Sequence, residues 1–166
     1  MTDPSVASYG GLVRGAGSIG ASGDDALVYS VNAPATESTL AQAVAENEYV
    51  GVTLTAAAGQ PFALRRGTLR FTINRQDYHS PRRYAVFTSV AGFAAGQEVF
   101  LSPLNTDLDE PRELVVALPD APAYDGLASV QIRIYGYAAN FGGHRTRLTA
   151  FKLSERVGTL TAEGRK

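Results

Sequence analysis

The chain has 166 residues, a length typical of one domain, and with 45% hydrophobic and 19% charged residues it can bury enough apolar surface to exclude wholesale disorder. Its formal net charge of −1 gives no general attraction to nucleic acid or to an anionic membrane. The sequence contains no cysteine, which excludes disulfides, thiolate zinc sites and cysteine nucleophiles.

The amino-terminal segment is rich in Gly, Ser and Ala. Residues 1–25 predict a loop-rich lead-in with an edge strand near Leu12, and residues 26–31 predict a second short strand. The segment shows no basic start followed by an apolar run, so no signal peptide is visible. No later stretch has the length expected of a membrane-spanning helix.

One helix is predicted. Thr39 followed by Gln42 fits a capping box, and the apolar residues that follow lie on one helical face. A two-turn helix is therefore expected over residues 39–46.

From Tyr49 onward, apolar and polar residues alternate, which predicts half-buried strands. The clearest strand covers residues 130–137. Other strands are predicted over residues 49–55, 69–74, 84–89, 98–101, 113–118 and 147–153. With proline and glycine between them, these strands predict an all-β fold, an antiparallel β-sandwich of the jelly-roll kind. Residues 26–153 would form this domain, and residues 154–166 a polar tail.

Several motifs occur in an order that resembles a known family. An Ala-rich helix precedes Tyr49-Val50-Gly51-Val52, residues 84–93 end in Ala91-Gly92-Phe93, and residues 132–138 read Ile-Arg-Ile-Tyr-Gly-Tyr-Ala. This order resembles exported bacterial domains found in proteins with the PEP-CTERM sorting signal.

That resemblance implies a jelly-roll module similar in architecture to carbohydrate-binding modules. It also implies an extracellular or cell-surface location. Ala91 and Thr149 stand where the family has aspartates. A structural calcium that depended on those carboxylates would be lost here, and no other cofactor is expected.

The polar face of the 130–137 strand is the first candidate site. Gln131, Arg133, Tyr135 and Tyr137 alternate along it, with same-side residues about 7 Å apart. Aromatic rings can stack on the C–H faces of sugars while planar polar groups bind the hydroxyls. The alternative is that the tyrosines pack against the domain itself.

A second candidate is the locally basic region between residues 65 and 83. Its proposed patch comprises Arg70, Arg75, Tyr78, Arg82 and Arg83. Such a patch could bind an acidic polysaccharide or nucleic acid, although the net charge of the chain does not favour nucleic acid. The alternative is a solvated face whose arginines pair with acids elsewhere.

A third candidate is an acidic loop. Asn105, Asp107 and Asp109 place oxygen ligands at alternate positions, as calcium loops do. The glycine and the final carboxylate of an EF-hand loop are missing, so the alternative is a solvated turn.

Three functions remain open. The first is a non-catalytic extracellular module that binds carbohydrate or cell-surface matrix, and the second is a structural or interaction domain without a small ligand. The third is a glycan hydrolase, which needs two carboxylates that pair in space. No Gly-x-Ser-x-Gly motif is present, and no catalytic residue is predicted. The sequence makes no prediction of oligomeric state.

Overall fold

Two five-stranded sheets account for most of the fold. A computed structural model describes residues 6–20, 27–31, 37–139 and 144–155. The first sheet contains, in spatial order, β1 (Val6–Arg14), β4 (Tyr49–Ala56), β11 (Ser129–Tyr137), β7 (Arg83–Thr88) and β8 (Phe100–Leu101). The second contains β2 (Ile19–Gly20), β3 (Leu27–Val31), β12 (His144–Ser154), β6 (Thr68–Arg75) and β9 (Arg112–Ala117).

A third, two-stranded sheet pairs β10 (Asp125–Leu127) with β5 (Phe62–Ala63), next to a short 3-10 helix over Pro122–Tyr124. All the strand pairs described are antiparallel. The predicted antiparallel β-sandwich with one short α-helix is confirmed.

One hydrophobic core lies between the two large sheets. Alternate residues of each strand point into it, as the sequence pattern predicted. The first sheet contributes Val50, Val52, Leu54, Ile132 and Ile134, and the second contributes Leu69, Phe71, Ile73, Leu114, Val116 and Leu148. Each of these side chains is at most 7% exposed.

Helix α1 (Leu40–Ala45) begins at the predicted capping box. The Gln42 N–H donates to Thr39 Oγ1 at 3.2 Å, and the Thr39 N–H donates to Gln42 Oε1 at 2.9 Å. The helix packs on the outer face of the first sheet, where Ala43 is fully buried. It covers part of β11 and therefore shapes the candidate site.

The amino-terminal segment forms more regular structure than expected. The edge strand predicted near Leu12 is the nine-residue strand β1, which begins earlier in the lead-in and forms one edge of the first sheet beside β4. Alternation is weak in β1 because glycine and serine interrupt it. Residues 156–166 of the predicted tail lie outside the described residues. Within the described part of the chain, no helix is both long and apolar enough to cross a bilayer.

Candidate functional site

The outer face of the first sheet carries the four candidate residues of β11. Strand register places residues of β4 and β7 beside them on the same face. Gln131 lies opposite Thr53, Arg133 lies opposite Gly51 and Phe87, and Tyr135 lies opposite Tyr49 and Ala85. The face therefore combines hydroxyl, amide, aromatic and cationic side chains.

Tyr135 lies beneath helix α1 and is only 1% exposed. Its ring packs edge-on against Phe87, with centroids 5.1 Å apart, and lies 5.5 Å from the Tyr49 ring. Burial raises the pKa of the Tyr135 phenol, and a hydrogen bond with Arg133 acts in the opposite direction. The expectation of an open stacking ring at Tyr135 is wrong, because the sequence pattern did not show that the helix would cover this end of the strand.

Tyr137 is half-buried and packs at the border of the same cluster. It pairs across the ladder with Arg83. Of the two tyrosines proposed for stacking, only Tyr137 keeps part of its surface open.

Arg133 is the central side chain of the uncovered part of the face. Its Cζ lies 4.3 Å from the centroid of the Tyr49 ring and 3.9 Å from that of Phe93, both within cation–π range. Its Nη2 donates to Gln131 Oε1 at 3.3 Å. Its Nε is buried and has no hydrogen-bond partner among the described residues. The guanidinium is therefore oriented by the two rings together with its hydrogen bonds to Gln131 and Tyr135.

Gly51 makes room for this stack. A Cβ atom at Gly51 would lie 2.9 Å from the carbonyl oxygen of Ile132 and 3.2 Å from the Tyr49 ring. Any side chain here would displace the ring or the neighbouring strand. The glycine thus allows the Tyr49 ring to lean towards Arg133, which lies opposite Gly51 on β11.

Beyond the stack the face is open. We call this region the polar strip, and its members are Thr53, Thr55, Ser89, Ser129, Gln131 and Arg133. Both threonines and both serines are exposed, while Gln131 and Arg133 are half-buried. Ser89 Oγ accepts from the Gln131 N–H at 3.0 Å, which fixes the end of β7 against β11.

The basic region does not form one patch. Arg75 points towards the core and is 1% exposed. Its guanidinium donates to four backbone carbonyls, those of Asp107 (3.4 Å), Asp77 (3.4 Å), Tyr78 (3.1 Å) and Ser80 (3.3 Å). Burial lowers the pKa of Arg75. The Arg75 side chain links two loops through these hydrogen bonds and cannot bind a ligand at the surface.

The other members of that proposed patch are dispersed. Arg70 lies on the outer face of the second sheet and pairs with Glu113 at 3.0 Å. Arg82 pairs with Glu37 at 3.1 Å and also donates to the Ala138 carbonyl. Arg83 is exposed on β7, and Tyr78 is 77% exposed in a loop. Arg70 and Arg82 therefore match the alternative prediction, in which arginines of this region pair with acidic residues elsewhere.

The acidic loop is closed by its own hydrogen bonds. Asn105 is 2% exposed, and its Oδ1 accepts from the Asp107 N–H at 3.1 Å. Asp107 and Asp109 are exposed, and the Asp109 N–H donates to the Arg75 carbonyl. No group of three or more His, Asp or Glu side chains able to hold a metal was found in the described ranges. The Asn105 side chain is buried and holds the loop closed, so only the exposed carboxylates of Asp107 and Asp109 face solvent here.

Neither a protein-family model nor a curated protein matches this sequence. Among solved structures, a CBM4 structure is similar at 21% identity, over 87% of this chain and 94% of that one, with a TM-score of 0.49. The K3 adhesin domain of Lys-gingipain from Porphyromonas gingivalis is similar at 16% identity, over 78% and 73% of the two chains, with a TM-score of 0.44. The N-terminal cellulose-binding domain of Cellulomonas fimi β-1,4-glucanase C is similar at 21% identity, over 80% of each chain, with a TM-score of 0.42. These neighbours include both carbohydrate-binding modules and an adhesin domain. The similarity is one of fold alone and does not identify a ligand for this chain.

The sequence pattern does not reveal the residues that β4 and the segment after β7 bring to the site. Tyr49, Thr53 and Thr55 were assigned to a strand but not placed beside β11, and Phe93 reaches Arg133 from the segment after β7. The alternation in β4 indicated which residues share a face. Only the pairing of β4 with β11 shows that the two polar faces are continuous.

Proposed function

We propose that this protein is a non-catalytic glycan-binding module whose binding surface is the polar strip. The supporting observation is the combination of exposed hydroxyls at Thr53, Thr55 and Ser89 with the Gln131 amide and the Arg133 guanidinium on one open sheet face. Hydroxyl and amide groups both donate and accept hydrogen bonds, which suits them to sugar hydroxyls. A rigid sheet holds these groups at fixed spacing, so little ordering is needed on binding.

The described outer-face positions of β4, β7 and β11 favour binding over hydrolysis. They carry hydroxyl, amide, aromatic, alanine, glycine and arginine side chains. Glycoside hydrolysis uses a pair of carboxylates that face each other across the scissile bond, and these positions supply none.

We also propose that the module acts outside the cell, on a surface polysaccharide or matrix. The support is the resemblance of the motifs at residues 49–52, 84–93 and 132–138 to exported PEP-CTERM-type domains. A signal peptide encoded upstream, or recovery of the protein in the extracellular fraction, would agree with this proposal. Recovery only in the cytoplasm would contradict it.

A second candidate function is an interaction domain without a small ligand. The burial of Tyr135 under helix α1 favours it, because the helix removes a ring that would otherwise be open for stacking. In this case the polar strip would be a solvated face.

Glycan arrays followed by isothermal titration calorimetry separate the two candidates. The double substitution Thr53→Ala and Gln131→Ala removes two hydrogen-bonding side chains from the strip. We expect it to weaken glycan binding roughly tenfold or more, since each lost hydrogen bond is worth about 0.5–1.5 kcal/mol. Thr72→Ala, on the outer face of the second sheet, is the matched control and should bind as wild type. Absence of glycan binding, or equal affinity in the double variant, would overturn the proposal.

A further inference from the structure

Arg133 carries a positive charge that no carboxylate balances among the described residues. It forms no ion pair there, whereas Arg65, Arg66, Arg70 and Arg82 each pair with an acid. It is also half-buried, so water screens its charge less completely than that of an exposed arginine. The favourable contacts of its guanidinium are with neutral groups, namely the rings of Tyr49 and Phe93, the Gln131 amide and the Tyr135 phenol, and none of these neutralises the positive charge.

The stack also decides which atoms of Arg133 a ligand can reach. Two rings lie against the guanidinium, and Nε is buried. One N–H of Nη2 is used by Gln131 at 3.3 Å, and the guanidinium also hydrogen-bonds to the Tyr135 phenol, so the remaining terminal N–H groups are the ones that a ligand can use. A guanidinium presents its N–H groups as a planar fork, and a carboxylate offers two oxygens with matching spacing.

The neighbours of Arg133 in the polar strip are neutral. Thr53, Thr55, Ser89, Ser129 and Gln131 provide hydroxyl and amide groups without a negative charge that could compete for the guanidinium. A ligand placed along the strip would therefore meet one cation among neutral hydrogen-bonding groups. This combination suits a chain of sugars that bears carboxylates as well as hydroxyls.

We infer that the polar strip selects a uronate-containing polysaccharide, with the terminal Nη atoms of Arg133 binding a sugar carboxylate. This inference rests on the proposed glycan-binding function and names the ligand class for the same surface. Tyr49 and Phe93 act as positioning residues, because they hold the guanidinium while the strip binds the hydroxyls.

Matched pairs of polysaccharides test the inference without altering the protein. Polygalacturonate and alginate are compared with their carboxyl-reduced forms, which keep the glycan backbone but replace each carboxylate by a neutral hydroxymethyl group. We expect wild-type protein to bind at least one acidic form roughly tenfold to a hundredfold more tightly than its reduced form, as charge-assisted hydrogen bonds imply. Raising the salt concentration should weaken binding of the acidic form more than that of the reduced form.

Two substitutions assign the effect to Arg133. Arg133→Gln should remove the preference for the acidic form, while Arg133→Lys should keep the charge and part of the preference. Lys152→Gln removes an exposed cation from the second sheet and should leave the preference unchanged. Circular dichroism checks that each variant is folded. If a variant is not folded, the comparison of acidic and reduced polysaccharides with wild-type protein still tests the inference.

The outcomes separate this inference from the proposed function. Equal affinity for the acidic and reduced forms would overturn the inference and leave glycan binding intact. A preference that survives in folded Arg133→Gln, or disappears in Lys152→Gln, would also overturn it. Binding to no glycan of any charge would overturn the proposed function together with the inference.

Discussion

Substitution of Arg75 by Met tests whether this arginine is a structural residue. Met keeps the unbranched apolar stem but removes every hydrogen bond to the carbonyls of Asp77, Tyr78, Ser80 and Asp107. Only the contact with Ser80 is fully buried, so water can replace the arginine at the other three carbonyls. Leaving one buried carbonyl without a partner costs about 1–3 kcal/mol, and losing charge-assisted bonds adds to this.

We therefore expect Arg75→Met to lower the free energy of unfolding by about 2–4 kcal/mol. For a domain of this size that corresponds to a fall of roughly 5–15 °C in Tm. Urea denaturation followed by far-UV circular dichroism measures the change. Arg83→Met is the matched control, because Arg83 is exposed, and it should stay within about 0.5 kcal/mol of wild type. An Arg75→Met protein as stable as the control would refute the structural role.

Three further predictions concern buried groups. In urea denaturation, Tyr135→Ala should lower the free energy of unfolding by about 3–5 kcal/mol, because its ring is buried. Gln131→Ala should lower it by less than about 0.5 kcal/mol, because its side chain lies beside open surface. Equal losses in the two variants would contradict the assignment of Tyr135 as buried and Gln131 as open. Burial raises the pKa of Tyr84, so above about pH 10 its phenol ionises readily only in the unfolded chain. The free energy of unfolding should therefore fall as pH rises beyond that value. Tyr84→Phe should weaken this dependence, and an unchanged pH profile would argue against it. Calcium should not raise Tm, because the Asn105 side chain is buried and only two of the three proposed ligands, Asp107 and Asp109, are exposed. A Tm that increases with calcium concentration would contradict this prediction.

Periodicity alone predicts most of the sandwich. Burial of Leu69, Phe71 and Ile73 on one side of β6 follows from alternation of apolar and polar residues, and the capping box at Thr39 defines the start of the helix. Strand β1 shows less alternation. An edge strand near Leu12 is predicted, but its nine-residue length and its pairing with β4 follow from tertiary structure that the sequence pattern does not encode.

The site is less predictable, because it depends on what packs over the sheet. Alternation correctly places Arg133 and Tyr135 on one face, but only tertiary packing puts Tyr135 under helix α1 and leaves Arg133 beside open surface. Likewise, Arg75 belongs to a basic segment in the sequence, yet it lies on the inward side of β6. Charge clusters along a chain separate when successive residues point to opposite faces.

The most direct test of glycan binding at the polar strip is an NMR titration of the protein with oligosaccharides from the best-binding polysaccharide. Binding at this surface should produce saturable changes in the amide shifts of Thr53, Thr55, Ser89, Gln131 and Arg133. The amides on the outer face of β6 should remain unchanged. Saturable shifts confined to the second sheet, or no shifts at any oligosaccharide concentration, would contradict glycan binding at the polar strip.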